Sequence, residues 1–540
     1  MERNSDWWKS AVFYQIYPKS FQDTTGSGFG DLAGITRHLD YIQSLGVDGI
    51  WISPFYKSPQ KDNGYDVSDY RSVDERFGTM DDFDQLVQEA DARGLIIMTD
   101  LVLNHTSDEH PWFEDAKSSR DSEYHDFYIW RDGTADSPPN DLEAIFGGSA
   151  WTYVPEIGQY YFNMFSPGQP DLNWSNPKVR EALYDMIRWW TERGVGGFRL
   201  DAIEFIGKDV DQKNILNGDL VAHYLHEMKE ASFPETDFVT VGETLNAPLD
   251  MVRAYSNPDG STLSMVFQGD AMIQDHERDE PRSVWTRPHL HLPALKKSYE
   301  KWRRGLYGTG WAALYISNHD LPRIVSSWGD EGEYRRESAT MLAAMLHGMQ
   351  GTPFIYQGEE IGMTNIALEP EQYNDLETRF YYKDALSRGM SEAEVMAGIH
   401  ARSRDNARTP MQWSSAANAG FTDGTPWLPV NPNYSEINVE EAENDPNSIL
   451  NFYRKLIALR RKYPVLRDGT FTLLDADNEN TFCYTRDTDD EHLLVQCNFT
   501  PREQPETLPD GYSSSNVVLA NYPDPEGPLR PYETRILHRV

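Results

Sequence analysis

Three stretches of this chain repeat one plan: an amphipathic helix, a glycine and a short apolar strand. "ITRHLDYIQSLGVDGIWISP" carries Ile35, Leu39 and Ile42 at helical spacing, turns at Gly46 and runs on as a strand. "MDDFDQLVQEADARGLIIMTDLVLNH" does the same with Phe83, Leu86, Val87 and Ala90 before Gly94. "NPKVREALYDMIRWWTERGVGGFRLDAI" repeats it with Val179, Leu183 and Met186 before Gly194. Glycine-stopped helices followed by nearly continuous apolar strands predict a parallel sheet covered on both faces. "AVFYQIYP", "FVTVGET", "STLSMVFQ", "WAALYISNHD" and "GTPFIYQGEE" supply further strands, about eight in all with the three above. Eight parallel strands with intervening helices predict an α/β chain folded as a (β/α)8 TIM barrel. A doubly wound sheet is the competing α/β arrangement, but no GxGxxG follows the first strand.

The rhythm breaks twice. The barrel's first part is read over 1–103. Residues 104–173, rich in Trp, Tyr, Gly and Pro, predict a small domain inserted after strand 3. The second part spans 174–466 and contains an irregular insertion at about 366–430. It closes on "ILNFYRKLIALRRKYPVL", with Phe452, Leu456, Leu459 and Tyr463 on one face. Residues 467–540 read as short strands and turns, a C-terminal antiparallel β domain.

The 540 residues hold 49 basic and 86 acidic side chains, a net charge of −37. Such a surface repels nucleic acid and anionic lipid. No nucleic-acid or membrane partner is expected, and a small neutral molecule fits better. The first ten residues lack an apolar leader, and no stretch is long and apolar enough to span a bilayer. The two cysteines are placed on one hairpin turning at 487–490, with Cys483 opposite Leu494 and Cys497 opposite Asn480. They are read as free thiols, consistent with a cytoplasmic location. A monomer is the favoured state.

In a barrel of this kind, chemistry sits at the C-terminal strand ends. Read in order, those ends give Asp100 and His105, then Arg199 and Asp201, then Glu243, then His319 and Asp320. Arg199 and Asp201 stand two apart, on one face of their strand and about 6.6 Å apart along it. Both therefore point into the barrel mouth, where the guanidinium is expected to keep Asp201 ionised. Two carboxyl groups with separate jobs are the requirement of glycoside hydrolysis: one attacks the anomeric carbon, the other protonates the leaving oxygen. Glu243 follows the apolar "FVTVG", so burial is expected to hold its proton. Asp320, His105 and His319 are candidates to bind the hydroxyls of the same sugar.

With these residues in place, the chain resembles the α-amylase superfamily, glycoside hydrolase family 13. The family's four short signature regions are similar to "DLVLNH" (100–105), "GFRLDAI" (197–203), "GET" (242–244) and "SNHD" (317–320). The likeness to its oligo-1,6-glucosidase, dextran glucosidase and α-glucosidase subgroup rests on "DNGYDVSDY", "FGGSAW", "QPDLNW" and "RDNARTPMQW". That resemblance implies Asp201 as nucleophile, Glu243 as acid/base and Asp320 as transition-state stabiliser. It implies Asp62 and Arg408 as the pair that closes the pocket, and Tyr65, Phe146, Phe165 and Gln169 as the glucose subsite. The implied activity is a retaining, exo-acting α-glucosidase on short malto- and isomalto-oligosaccharides. A strict oligo-1,6-glucosidase, or a sucrose isomerase or transglucosylase on the same site, is the alternative. A trehalose-6-phosphate hydrolase is also similar, but no basic cluster for a phosphate stands out. Amylase-fold transporter subunits carry a membrane segment and lack the full acid set.

The chain departs from the subgroup twice. Members commonly carry a calcium loop near the N-terminus. Here Asp23, Thr25, Ser27, Phe29 and Asp31 occupy its positions, and two carboxylates with two hydroxyls make a weak site. No cofactor is required for the chemistry; a structural Ca2+ is the one candidate, with a water or a lysine ammonium as its substitutes. The second departure is Ala202, where members preferring α-1,6 bonds tend to have Val. Alternation places Ala202 facing away from Asp201, and the smaller side chain predicts breadth in linkage.

Overall fold

The computed structural model describes residues 6–234, 237–245, 247–275 and 285–540; the first five residues of the leader reading lie outside that set. The barrel strands are β1 (Phe13–Ile16), β2 (Gly49–Ile52), β3 (Ile96–Leu101), β4 (Gly197–Leu200), β5 (Val239–Thr244), β6 (Met265–Gln268), β7 (Ala313–Leu314) and β8 (Thr352–Tyr356). The sheet runs β6-β5-β4-β3-β2-β1-β8-β7, all parallel. A parallel bridge from Val266 to Ala312 closes it between β6 and β7.

The glycine stops behave as the repeats require. Gly46, Gly94 and Gly194 sit at φ of +89°, +72° and +92°, the left-handed region that ends a helix cheaply only in glycine. The first helical stretch is two helices, Leu32–Arg37 and Leu39–Leu45, broken at His38. That ring lies flat on Trp413, 3.6 Å away, and bonds Gln22 Oε1.

Inside the barrel, alternation sorts the strands into layers. The lower interior is apolar: Phe13, Trp51, Met98, Val239, Val241, Met265, Phe267 and Phe354 form one cluster. Two residues further up the same faces, the apolar positions give way to Gln15, Asp100, Arg199 and Glu243. Register aligns Arg199 with Asp100 on β3 and with Val241 on β5. The polar layer thus sits on an apolar floor that fixes its height.

Between β3 and the helix Pro177–Glu192 stands a three-stranded antiparallel sheet built from Trp130–Asp132, Gln159–Phe162 and Trp151–Val154. The stretch after β8 is less irregular than expected. It contains the helices Leu376–Ser387 and Glu392–Arg402, whose weak amphipathicity hides them from a periodicity argument. Beyond the helix Ile449–Lys462 lies a five-stranded antiparallel sheet, Thr470–Arg539.

Its central hairpin corrects one expectation. Asp487 pairs with His492, so the turn is 488–491. Cys483 faces Gln496, and Cys497 faces Phe482. The two thiols therefore occupy opposite faces of the sheet, both buried and unpaired. Among the described residues, no helix is long and apolar enough to cross a membrane.

Candidate active site

Arg199 organises the barrel mouth. It is 1 % exposed and lies between the rings of Trp51 and Tyr65, at 5.2 and 5.7 Å. Its Nη1 donates to Asp100 at 2.9 Å and to Asp201 at 2.7 Å, and its Nη2 stands 2.8 Å from Glu243. Asp100 is held further by Trp51 Nε1 and by the Tyr65 hydroxyl. One cation thus serves three buried carboxylates.

That ratio overturns the expectation of a low pKa for Asp201. Burial pushes Asp201 up to about 7 and Glu243 up to about 7, with Arg199 opposing in both. Asp100 is raised to about 6 for the same reason. A single guanidinium cannot neutralise three acids, so the group retains a proton near neutrality and titrates as a unit. Asp320 behaves oppositely. Burial opposes its ionisation, but His319, Arg404 and Arg408 hold it well below the usual carboxylate range.

Both histidines are fixed as neutral tautomers. Gln15 Nε2 donates to His319 Nδ1 at 2.8 Å, so Nε2–H faces Asp320 Oδ2 at 3.1 Å. Asn104 Nδ2 donates to His105 Nδ1, leaving Nε2–H for the Tyr65 carbonyl at 2.9 Å. His105 lines the cavity, whereas His319 is fully buried behind Tyr65, stacked at 5.2 Å. The His105 donor is engaged by the Tyr65 carbonyl, whereas His319 Nε2 makes no hydrogen bond among the described residues.

Above these acids is a cavity of about 400 Å3, within the usual range for a small-molecule site. Tyr65, Phe146, Phe165 and Gln169 line it together with Asp62, Asp201, Ala202, Glu243 and Asp320. The pair that closes its far end is not the expected one. Asp62 stands 3.5 Å from Arg404 Nη2 and accepts from Gln169 Nε2 at 2.9 Å. Arg404 also covers the Phe146 ring at 4.9 Å. Arg408 lies deeper, donating to Asp320 and to the His319 carbonyl. Arg404 and Arg408 are four residues apart in one motif, which is why the motif alone did not separate them. Asp375 was also missed: it binds Arg404 at 2.5 Å and lies 3.7 Å from Arg408.

Ala202 differs from expectation too. The strand ends at Leu200, alternation stops with it, and Ala202 adopts φ +47°. It lines the cavity and donates its N–H to Glu243 Oε2 at 3.0 Å. A β-branched residue is strained at such an angle. Ala202→Val is therefore expected to cost about 1 kcal/mol or more of stability, read as a lowered denaturant midpoint. An unchanged midpoint would show that the backbone relaxes.

The proposed metal positions do not fit a cation. Asp23 Oδ1 accepts the N–H groups of Thr25 and Gly26, and Oδ2 accepts Gly28 N–H and the Thr422 hydroxyl. Asp31 caps a helix through Gly34 N–H and takes both donors of Thr24. The Ser27 hydroxyl turns to the Phe29 carbonyl. All four carboxylate oxygens a cation would need are turned to N–H or O–H donors. Nor does Lys19 substitute: its ammonium bonds Asn63 at 2.8 Å.

Fold and site together define a carbohydrate-cleaving enzyme with its acids at the C-terminal mouth of a barrel. The model of the alpha-amylase catalytic domain matches residues 15–469. The chain belongs to that family, and it is a glycoside hydrolase. It is 46 % identical to an oligo-1,6-glucosidase of Halalkalibacterium halodurans, covering 99 % of each. A solved trehalose-6-phosphate hydrolase of Bacillus licheniformis superposes with a TM-score of 0.94 at 44 % identity, covering 98 % of this chain and 99 % of that one. An isomaltulose synthase from Klebsiella sp. LX3 superposes equally well at 39 % identity, covering 99 % of each.

Proposed function

We propose that the protein is a retaining, exo-acting α-glucosidase that releases glucose from the non-reducing ends of short malto- and isomalto-oligosaccharides. The observation that carries this reading is the grip of Arg199 on Asp201 and Glu243 beneath a pocket shut by Asp62, Gln169 and Arg404. A single guanidinium holds the two acids close, as double displacement requires. Asp201 attacks the anomeric carbon while Glu243 gives its proton to the departing oxygen. Water, deprotonated by Glu243, then cleaves the ester. Asp320, kept ionised, binds sugar hydroxyls and stabilises the developing positive charge.

With the far end closed, one glucose fits beyond the scissile bond. Soluble starch or dextran is expected to yield glucose as its only early product. Early maltose or larger fragments would refute closure. The deciding kinetic comparison is maltose against isomaltose, both cleaved within about 100-fold in kcat/KM; a wild type inert on maltose would favour the strict oligo-1,6-glucosidase. A phosphorylated substrate is disfavoured, because the two arginines that line the cavity among the described residues are engaged. Arg402 pairs with Asp275 at 3.0 Å, and Arg404 with Asp375.

The acid role of Glu243 makes a separable prediction. Burial pushes Glu243 up to about 7, which places the midpoint of the alkaline fall of kcat/KM near neutrality. Glu243→Gln is expected to abolish that limb and to slow maltose hydrolysis by about 10^2–10^4. α-Glucosyl fluoride needs no proton on its leaving group, and its kcat/KM, which reports only formation of the glucosyl ester, is expected to fall far less than that for maltose. Equal losses on both substrates would remove Glu243 from the acid role.

The N-terminal loop is proposed to be self-sufficient, since its carboxylates are saturated by donors. Exhaustive EDTA treatment is expected to leave the Tm within about 1 °C, a shift well below that of losing a bound ion. A fall of several degrees, restored by Ca2+ alone, would establish a metal there.

A further inference from the structure

One buried charge has no part in the chemistry above. Lys19 follows β1 and is 6 % exposed. Among the described residues, no carboxylate stands within ion-pair distance of its ammonium. Nζ donates to Asn63 Oδ1 at 2.8 Å and lies over the rings of Trp427, at 4.1 Å, and Phe29, at 5.5 Å. Trp427 is itself fixed, its Nε1 donating to Ser20 Oγ and its N–H to the Gly28 carbonyl. Burial pulls the ammonium down to about 7, and Arg408 and Arg76 repel it further. One amide oxygen and two ring faces replace the water shell poorly, so Lys19 costs stability where it stands.

Its hydrogen bond goes to the tip of a turn that builds the glucose pocket. Asp62 and Tyr65 close that turn, the Tyr65 N–H donating to the Asp62 carbonyl at 3.1 Å. The two central residues, Asn63 and Gly64, sit at φ of +51° and +106°. Asn-Gly is the pair that best tolerates two left-handed positions in succession, although Asn enters that region less freely than Gly. Asp66 takes the N–H groups of Lys61 and Asp62 and so holds the start of the turn. The tip is held by Lys19. Both end residues line the cavity: Asp62 meets Arg404 and Gln169, and the Tyr65 ring covers Arg199. Movement at the tip therefore reaches two walls at once.

Resting on the closed-pocket reading above, we infer that Lys19 is a positioning residue for the sugar: through Asn63 it anchors the Asp62–Tyr65 turn and so fixes two walls of the glucose pocket, at a cost in stability. A side chain kept for packing stabilises the fold. This one gives up stability for the geometry of the site, and the two roles differ in the sign of what its removal does to the Tm.

Lys19→Met keeps the reach and the contact with Trp427 and removes the charge and the donor. With α-glucosyl fluoride as substrate, its KM is expected to rise about tenfold. Its kcat is expected to change less than about threefold, because neither Asp62 nor Tyr65 is a reacting acid. The Tm is expected to be unchanged or higher. Asn63→Gly suits the left-handed backbone and lacks the amide oxygen. In that background Lys19→Met is expected to alter KM by less than about twofold, since the bond it removes is already gone. A wild-type KM in Lys19→Met, or an equal rise in both backgrounds, overturns the inference. So does a Lys19→Met that melts several degrees lower or fails to fold, which makes Lys19 a structural residue. Each of these leaves the hydrolase reading intact. An Asp62→Ala variant with wild-type KM on the fluoride overturns the closed pocket itself.

Discussion

Asp201→Asn is expected to lower kcat/KM by about 10^4–10^6, the range found when a catalytic nucleophile is removed. The stability of the same variant is expected to be unchanged or higher. Asp201 is one of three carboxylates sharing the Arg199 guanidinium, and burial already pushes it up to about 7. Replacing it with an amide keeps a hydrogen-bond acceptor for Nη1 and removes one charge from an over-subscribed cation. Activity on α-glucosyl fluoride must fall with activity on maltose, because this substrate needs no proton from Glu243 to expel its leaving group and still needs the nucleophile. A folded Asp201→Asn that turns over the fluoride at wild-type rate would end the assignment. A large drop in Tm would instead show that the ionised carboxylate holds the mouth together.

Arg199→Leu is expected to produce the largest loss of stability of any single change at the site, about 3–5 kcal/mol, because it leaves buried acids without their cation. Its pH dependence is diagnostic. Asp100, Asp201 and Glu243 already titrate above their ordinary range in the native protein, and removing Arg199 raises them further. The folded variant then holds protons that the unfolded chain, with carboxyl groups titrating near 4, has released. Folding therefore weakens as pH rises through that interval, and the deficit relative to wild type is small near pH 4–5 and grows towards pH 8. Thermal melts of both proteins at pH 5 and pH 8 measure it. A deficit equal at the two pH values would mean that Arg199 acts through packing between Trp51 and Tyr65, not through charge. Activity should be lost at both pH values, since Asp201 and Glu243 are positioned by the same two nitrogens.

Much of the architecture was legible because it rests on local periodicity. The helix–glycine–strand repeats need only the 3.6- and 2-residue spacings and a left-handed stop, and Gly46, Gly94 and Gly194 supply the last. The same spacing placed Arg199 and Asp201 on one face, and the strand ends gathered Asp100, Glu243 and Asp320 around them. The two helices after β8 were not legible, since Thr378 and Ala385 are the only residues the first buries, too few to write a stripe.

What the sequence by itself determined, then, is the barrel, the strand ends and which acids stand at them, all consequences of neighbours along the chain. What only the tertiary structure decided are relations between distant segments. Whether Asp62 meets Arg404 or Arg408 depends on how the short helix Asp405–Arg408 is aimed across more than three hundred residues of intervening chain. Ala202 enters the cavity because the strand stops one residue before Asp201 and the backbone then turns left-handed. The proton on the acid cluster follows from how many carboxylates converge on one guanidinium. A pKa is set by the burial and charge of everything within a few ångströms, and that neighbourhood is assembled by packing and not by sequence spacing.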